Sequence, residues 1–132
     1  MNAQQRRVLG EAAQLLCAYP ELRVAADGSW LLIPEFRLPG GWAPARTTVL
    51  IAVPLTYPEC APDGFYLGDR LRRRDGAFLV SPGHYFREYH NPYADLGYLW
   101  YCLEDPERRW SPGVDSLVTY VEAIRTYLGE TD

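Results

Sequence analysis

Hydrophobic periodicity changes in a fixed order along this chain, and that order constrains the fold more than any single residue does. Residues 3–18 read as a helix. Val8, Leu9, Ala12, Ala13, Leu16 and Tyr19 recur on one stripe, with Arg6, Arg7, Glu11 and Gln14 on the other side. Pro20 stops this helix, because proline disfavours helical geometry in the residue before it. The period then drops to two. Leu22 to Ala26 is a short strand ending in Asp27-Gly28, a hairpin turn signal. Trp30, Leu32, Pro34, Phe36 and Leu38 alternate with Leu31, Ile33, Glu35 and Arg37 until Pro39-Gly40-Gly41 breaks the run. Arg46 to Val53, rich in β-branched and aliphatic residues, is the strongest strand, and Pro54 and Pro58 end it. Phe65 to Leu67 is a fourth, short strand. The expectation is α+β: an N-terminal helix, then a four-stranded antiparallel meander.

Residues 68–112 keep no period and are rich in Gly, Pro, Asn, Asp and Tyr. An irregular stretch that long inside a compact domain is usually functional. Helical spacing returns at about 115–128, where Leu117, Val118, Val121, Ile124, Tyr127 and Leu128 form the apolar stripe and Asp115 stands as N-cap. The 132 residues predict one domain spanning 1–132, large enough to hold a core without disulfides.

Charge and cysteine usage narrow the function. A net charge of −4 gives no drive toward nucleic acid or an anionic membrane, and the basic run Arg70, Arg72, Arg73 and Arg74 is too short to change that. No apolar run reaches the roughly 18 residues of a membrane span. Three irregularly spaced cysteines argue against a disulfide framework and for a reducing, cytoplasmic setting. Cys17 lies near the stripe of the first helix and reads as core; Cys60 reads as a loop residue. His84, His90 and Cys102 lack the paired spacing of a zinc site, and no cofactor loop is present. All 13 basic residues are arginine. Codon bias explains this, and so does a protein that carries an activated acyl group and profits from having no lysine of its own. Composition leaves both open.

The segment Cys102-Leu103-Glu104-Asp105-Pro106-Glu107-Arg108-Arg109-Trp110-Ser111-Pro112 resembles the active-site signature of ubiquitin-conjugating E2 enzymes. In that family a cysteine followed by Leu-Asp leads to Trp-Ser-Pro and then a crossover helix. Tyr57-Pro58 with Pro62 and Phe65 is similar to the family's stretch leading out of its third strand. His90-Asn91-Pro92 is similar to its His-Pro-Asn tripeptide with the last two residues exchanged, and Asn91 stands farther from the cysteine than the family asparagine. The resemblance covers roughly residues 3–128. It implies a ubiquitin-conjugating (UBC-like) fold with an active-site loop and a crossover helix, without the usual last two helices. A compact version of this kind looks like the bacterial E2-like proteins, which accompany an E1-like adenylating enzyme, a ubiquitin-like protein and a JAB-type metalloprotease, often in antiphage defence.

The chemistry so implied is a thioester on Cys102 and transfer of the modifier to an amine of a target protein. Cysteine suits both halves, since its thiolate is a good nucleophile and a good leaving group, and a pKa near the free value of about 8.5 serves because the incoming bond is already a thioester. Asn91 is the candidate oxyanion donor. Asp105, with Glu104, is placed to orient or deprotonate the incoming amine, and His90 joins the candidates, with backbone hydrogen bonding in a tight turn as its other reading. Trp110, Pro112, Tyr57 and Pro58 are taken as packing residues that fix the loop beneath the cysteine. The dense tyrosines, among them Tyr93, Tyr98 and Tyr101, pack the loop or contact the tail of the modifier. The rival reading is a catalytically inactive module of the same fold that recruits a modifier or partner enzyme.

Overall fold

The computed structural model describes residues 1–62, 64–79, 93, 96–103 and 109–130, with Cys102 and Glu130 described by their backbone alone. Helix α1 (Ala3–Leu15) opens with a reciprocal cap: Asn2 Oδ1 accepts from Gln5 N at 2.8 Å, and Gln5 Oε1 accepts from Asn2 N at 3.0 Å. It ends three residues before the expected boundary, the chain turning where Tyr19 N donates to Leu15 O. Its buried stripe is Val8, Glu11, Ala12 and Leu15. That is the helical series starting at Val8, so Ala13 and Leu16 fall outside it and Glu11, expected on the polar side, falls within it. The early stop also corrects the reading of Cys17, which is exposed.

The strands β1 (Arg23–Val24), β2 (Trp30–Arg37), β3 (Trp42–Ala43), β4 (Arg46–Ala52), β5 (Gly64–Leu67), β6 (Arg72–Arg73) and β7 (Leu99–Cys102) follow, and helix α2 (Leu117–Glu130) is the last element described. The main sheet is antiparallel in the order β1-β2-β4-β5-β7, and β3 pairs with β6 in a separate ribbon. The four expected strands are all present in meander order. The main sheet has five strands rather than four, because β7 emerges from the stretch read as loop and pairs along β5, Leu67 with Leu99 through Gly64 with Cys102, and the β3–β6 ribbon was not expected.

Two local signals shape the sheet. Gly28 takes φ 75° in the turn between β1 and β2, where Ser29 N donates to Asp27 Oδ1 at 3.0 Å. In β2 the register shifts between Ile33 and Phe36, at Pro34, which has no N–H to give the ladder. The shift explains why the buried set is Leu31, Ile33, Phe36 and Leu38 rather than one strict alternation.

The core holds α1 residues Val8, Ala12 and Leu15, α2 residues Leu117, Val121, Ile124 and Leu128, and the inward residues of β2, β4, β5 and β7, including Phe65 and Tyr101 stacked at 5.9 Å. Trp42 Nε1 donates to Leu128 O at 3.1 Å and ties the β3–β6 ribbon to the end of α2. The start of α2 is capped by Ser116, whose Oγ accepts from Val118 N and Thr119 N, rather than by Asp115. Asp115 instead closes the turn before it, accepting from Ser111 N at 2.9 Å. Among the described residues no helix is long and apolar enough to cross a membrane.

Candidate functional site

Cys102 is the final residue of β7 and stands opposite Gly64, the first of β5. The close fit here requires that glycine. A Cβ on Gly64 would run into the Tyr101 carbonyl and come within 2.9 Å of the Trp100 indole nitrogen. The strand carrying the cysteine therefore lies against bare backbone at its far end. On the outer face of the same strands, Tyr66 is buried and meets Tyr93 edge to face at 4.9 Å. Tyr93 and Tyr101 thus both pack, one on each side of the sheet.

Eight residues past Cys102 the chain is tied down again. Trp110 Nε1 donates to Pro58 O at 2.8 Å, and its ring meets that of Tyr57 at 6.0 Å. The Tyr57–Pro58 peptide is cis. Tyr57 is 2% exposed, and its hydroxyl donates to Glu11 Oε1 at 2.5 Å. The same oxygen accepts from Leu117 N at 2.9 Å, the first N–H of α2, where a carboxylate also meets the positive end of the helix dipole. Glu11 Oε2 accepts from Arg7 Nε at 2.7 Å. Arg7 Nη2 donates to Pro112 O and Asp115 O, both at 2.7 Å.

These bonds form one connected network through α1, the Tyr57-Pro58 turn, Trp110 to Asp115 and the start of α2. Burial raises the pKa of the Tyr57 phenol well above its usual range, and the hydrogen bond to Glu11 and its charge add to the effect. For Arg7, burial pulls the pKa down, but the hydrogen bond and charge of Glu11 outweigh it and the net direction is up.

Of the residues singled out in the sequence, Tyr57, Pro58, Trp110 and Pro112 are brought together. Cys102 is located by its backbone at the end of the neighbouring strand. His90, Asn91 and Asp105 lie outside the described residues. Cys60 is exposed, on the turn that follows Pro58. Sequence reading missed Arg7 and Glu11. Their spacing of four suggests an ordinary surface pair, and the available signal was that Glu11 falls three residues after Val8 and one before Ala12 on the buried series.

The arrangement can hold a strand end and the downstream Trp-Ser-Pro turn in fixed relation. Comparison with curated proteins and with solved structures gives no significant match. The model of prokaryotic E2 family E matches residues 18–131, from the turn after α1 through α2 and across the cysteine-to-tryptophan segment. The chain belongs to prokaryotic E2 family E.

Proposed function

We propose that this protein is an E2-type carrier. It accepts a ubiquitin-like modifier from an E1-like adenylating enzyme as a thioester on Cys102, and it passes the modifier to an amine of a target protein. The Cys102 thiolate attacks the thioester carbonyl on the E1. The new carbon–sulfur bond forms, the E1 thiolate leaves, and no net charge is created. In the second step the target amine attacks the Cys102 thioester through a tetrahedral oxyanion. An amide forms, Cys102 leaves as thiolate, and the amine's proton passes to solvent or to a carboxylate such as Asp105. Asn91 donates to the oxyanion, an effect on the order of 3 kcal/mol. His90 supports Asn91 in that role.

The observation that supports this reading most is the anchoring at both Cys102 and Trp110. Cys102 ends a strand paired to β5, and Trp110 is bonded to Pro58. Attack of a thiolate on an existing thioester needs no base in contact with it, so the placement of the backbone at Cys102 is what the fold contributes to the rate. The cytoplasmic setting rests on the three irregularly spaced cysteines, and the role in antiphage defence on the resemblance to compact bacterial E2-like proteins.

The test is reconstitution with the cognate E1, ATP and modifier, read on a non-reducing gel. Wild type should give a thiol-sensitive adduct, and Cys102→Ser should give none that thiol removes. Asn91→Ala should load at nearly the wild-type rate and discharge to free amine about a hundredfold more slowly. Absence of any adduct would reduce the protein to a binding module of the same fold.

A further inference from the structure

Strand β6 is one arm of a tight hairpin. Arg72 bridges to Phe78, Leu79 N donates to Leu71 O at 2.9 Å, and Arg73 N donates to Ala77 O at 2.7 Å. Gly76 closes the turn at φ 92°, a conformation that favours glycine. Leu71 and Leu79, both buried, root the hairpin in the core. Beyond these roots Arg72, Arg74 and Phe78 are exposed.

Arg70, Arg72 and Arg73 are held rather than loose. The guanidinium carbons of Arg70 and Arg72 lie 4.1 and 4.7 Å from the centroid of the Phe78 ring, and that of Arg73 lies 5.3 Å from a Trp42 ring. Stacking uses the face of a guanidinium and leaves its N–H edge directed outward, the geometry that grips a carboxylate bidentately. The two flanking carboxylates are engaged locally. Asp69 accepts from Thr47 Oγ1 at 2.8 Å, and Asp75 accepts from Ala77 N at 2.8 Å. Among the described residues the ion pairs are Arg7–Glu11 and Arg46–Glu35, so Arg72, Arg73 and Arg74 have no carboxylate partner there.

We propose that this hairpin is a docking site for an acidic segment of a partner protein. Arg72 and Arg74 grip its carboxylates, and the exposed edge of Phe78 takes an apolar residue between them. A positive island on a chain of net charge −4 is a specific attractor rather than a general one. A nucleic acid suits it poorly, because its uniform charge meets the negative remainder of the surface and four arginines offer few phosphate contacts. The hairpin follows the Leu67 end of β5, whereas Cys102 pairs at the Gly64 end, roughly 10 Å of strand away. A partner held here leaves the cysteine end open, and the inference stands independently of the thioester.

Fluorescence anisotropy tests it, with a short labelled peptide of glutamates interspersed with leucines and, in parallel, a single-stranded oligodeoxynucleotide of equal length. The full-length protein should bind the peptide at low salt and lose it as salt rises. Arg72→Glu with Arg74→Glu should weaken binding at least about tenfold, while Arg6→Glu with Arg23→Glu, the same change in net charge elsewhere, should change it less than about twofold. Phe78→Ala should weaken the peptide and leave the oligonucleotide unaffected. If the glutamate pair does not fold, the neutral pair Arg72→Gln with Arg74→Gln takes its place, with an expected loss of about threefold. Equal losses in the hairpin and control variants, tighter binding of the oligonucleotide, or no peptide binding at low salt would overturn the proposal.

Discussion

A carboxylate withdrawn from water is unfavourable unless donors replace the lost hydration, and at Glu11 three do: the Tyr57 hydroxyl, the Leu117 N–H and the Arg7 guanidinium. Glu11→Ala leaves a buried phenol, a helix N–H and a half-buried cation without their acceptor. The expected loss is about 3 kcal/mol, measured as a shifted denaturant midpoint. Tyr57→Phe removes one donor and should cost about 1–2 kcal/mol near neutral pH. Its pH dependence is the sharper test. A phenol whose pKa is higher in the folded state than in the unfolded chain contributes stability that is complete below the unfolded value of about 10 and is lost as pH rises above it. Wild type should therefore lose stability above about pH 10 more steeply than Tyr57→Phe. Urea midpoints of the two proteins that fall in parallel across that range would contradict the raised phenol. At this scale the sequence was partly legible. Val8, Ala12 and the α2 stripe followed from period alone, but Glu11 did not, since its burial depends on donors 46 and 106 positions away along the chain.

Elements obey the same distinction between local and distant causes. Helix α1, strands β1, β2, β4 and β5 and helix α2 each carry enough period or turn chemistry to be read from the sequence alone. Strand β7 does not. Leu99–Cys102 has no β-branched residue and lies in a stretch rich in Gly, Pro, Asn and Asp, and it is a strand because β5 offers it a ladder. Its dependence on β5 is testable at Gly64. Gly64→Ala places a methyl group against the Tyr101 carbonyl and the Trp100 indole, and neither a backbone carbonyl nor a packed ring can yield cheaply. The pairing of Gly64 with Cys102 should open first. The expected result is a loss of about 2 kcal/mol, with hydrogen-exchange protection falling at the amides of β7 and holding at β2 and β4. If residue 102 reacts as proposed, thioester loading should fall as well, because the strand sets where that residue sits. Protection lost evenly across the sheet would show that β7 is not the part that yields.

For the whole molecule, the question is what holds the two ends of the chain to the proposed catalytic segment. The match to the E2 family begins at residue 18, after α1. Yet α1 supplies Val8, Ala12 and Leu15 to the core, and Arg7 and Glu11 to the only network described that joins Tyr57, Pro112 and the start of α2. The cysteine-to-tryptophan spacing and the Tyr-Pro pair were legible because a motif keeps its residues close in sequence. The clamp behind them was not, because it is assembled from positions that meet only once α1 lies across α2. Burial of Val8 and Leu15 alone contributes about 1.5–3 kcal/mol each, and the Glu11 network adds a similar amount. Set against a total stability of about 5–15 kcal/mol for a domain, this sum leaves little margin without α1. A chain beginning at Cys17 should therefore lose its cooperative thermal transition and its near-ultraviolet signal from Trp110 and Trp42, although the family match is intact. The milder variant Arg7→Ala keeps the core and releases Pro112 and Asp115. It should fold, with a midpoint lowered by about 1–2 kcal/mol. If Cys102 carries the modifier as proposed, loading should also be slower than that loss of stability alone explains, because the Trp110–Asp115 segment downstream of residue 102 is then held by Trp110 without its second tie. Loading that tracks stability alone, matched against a core variant of equal midpoint such as Leu15→Ala or Val8→Ala, would show that the network supports the fold and nothing more.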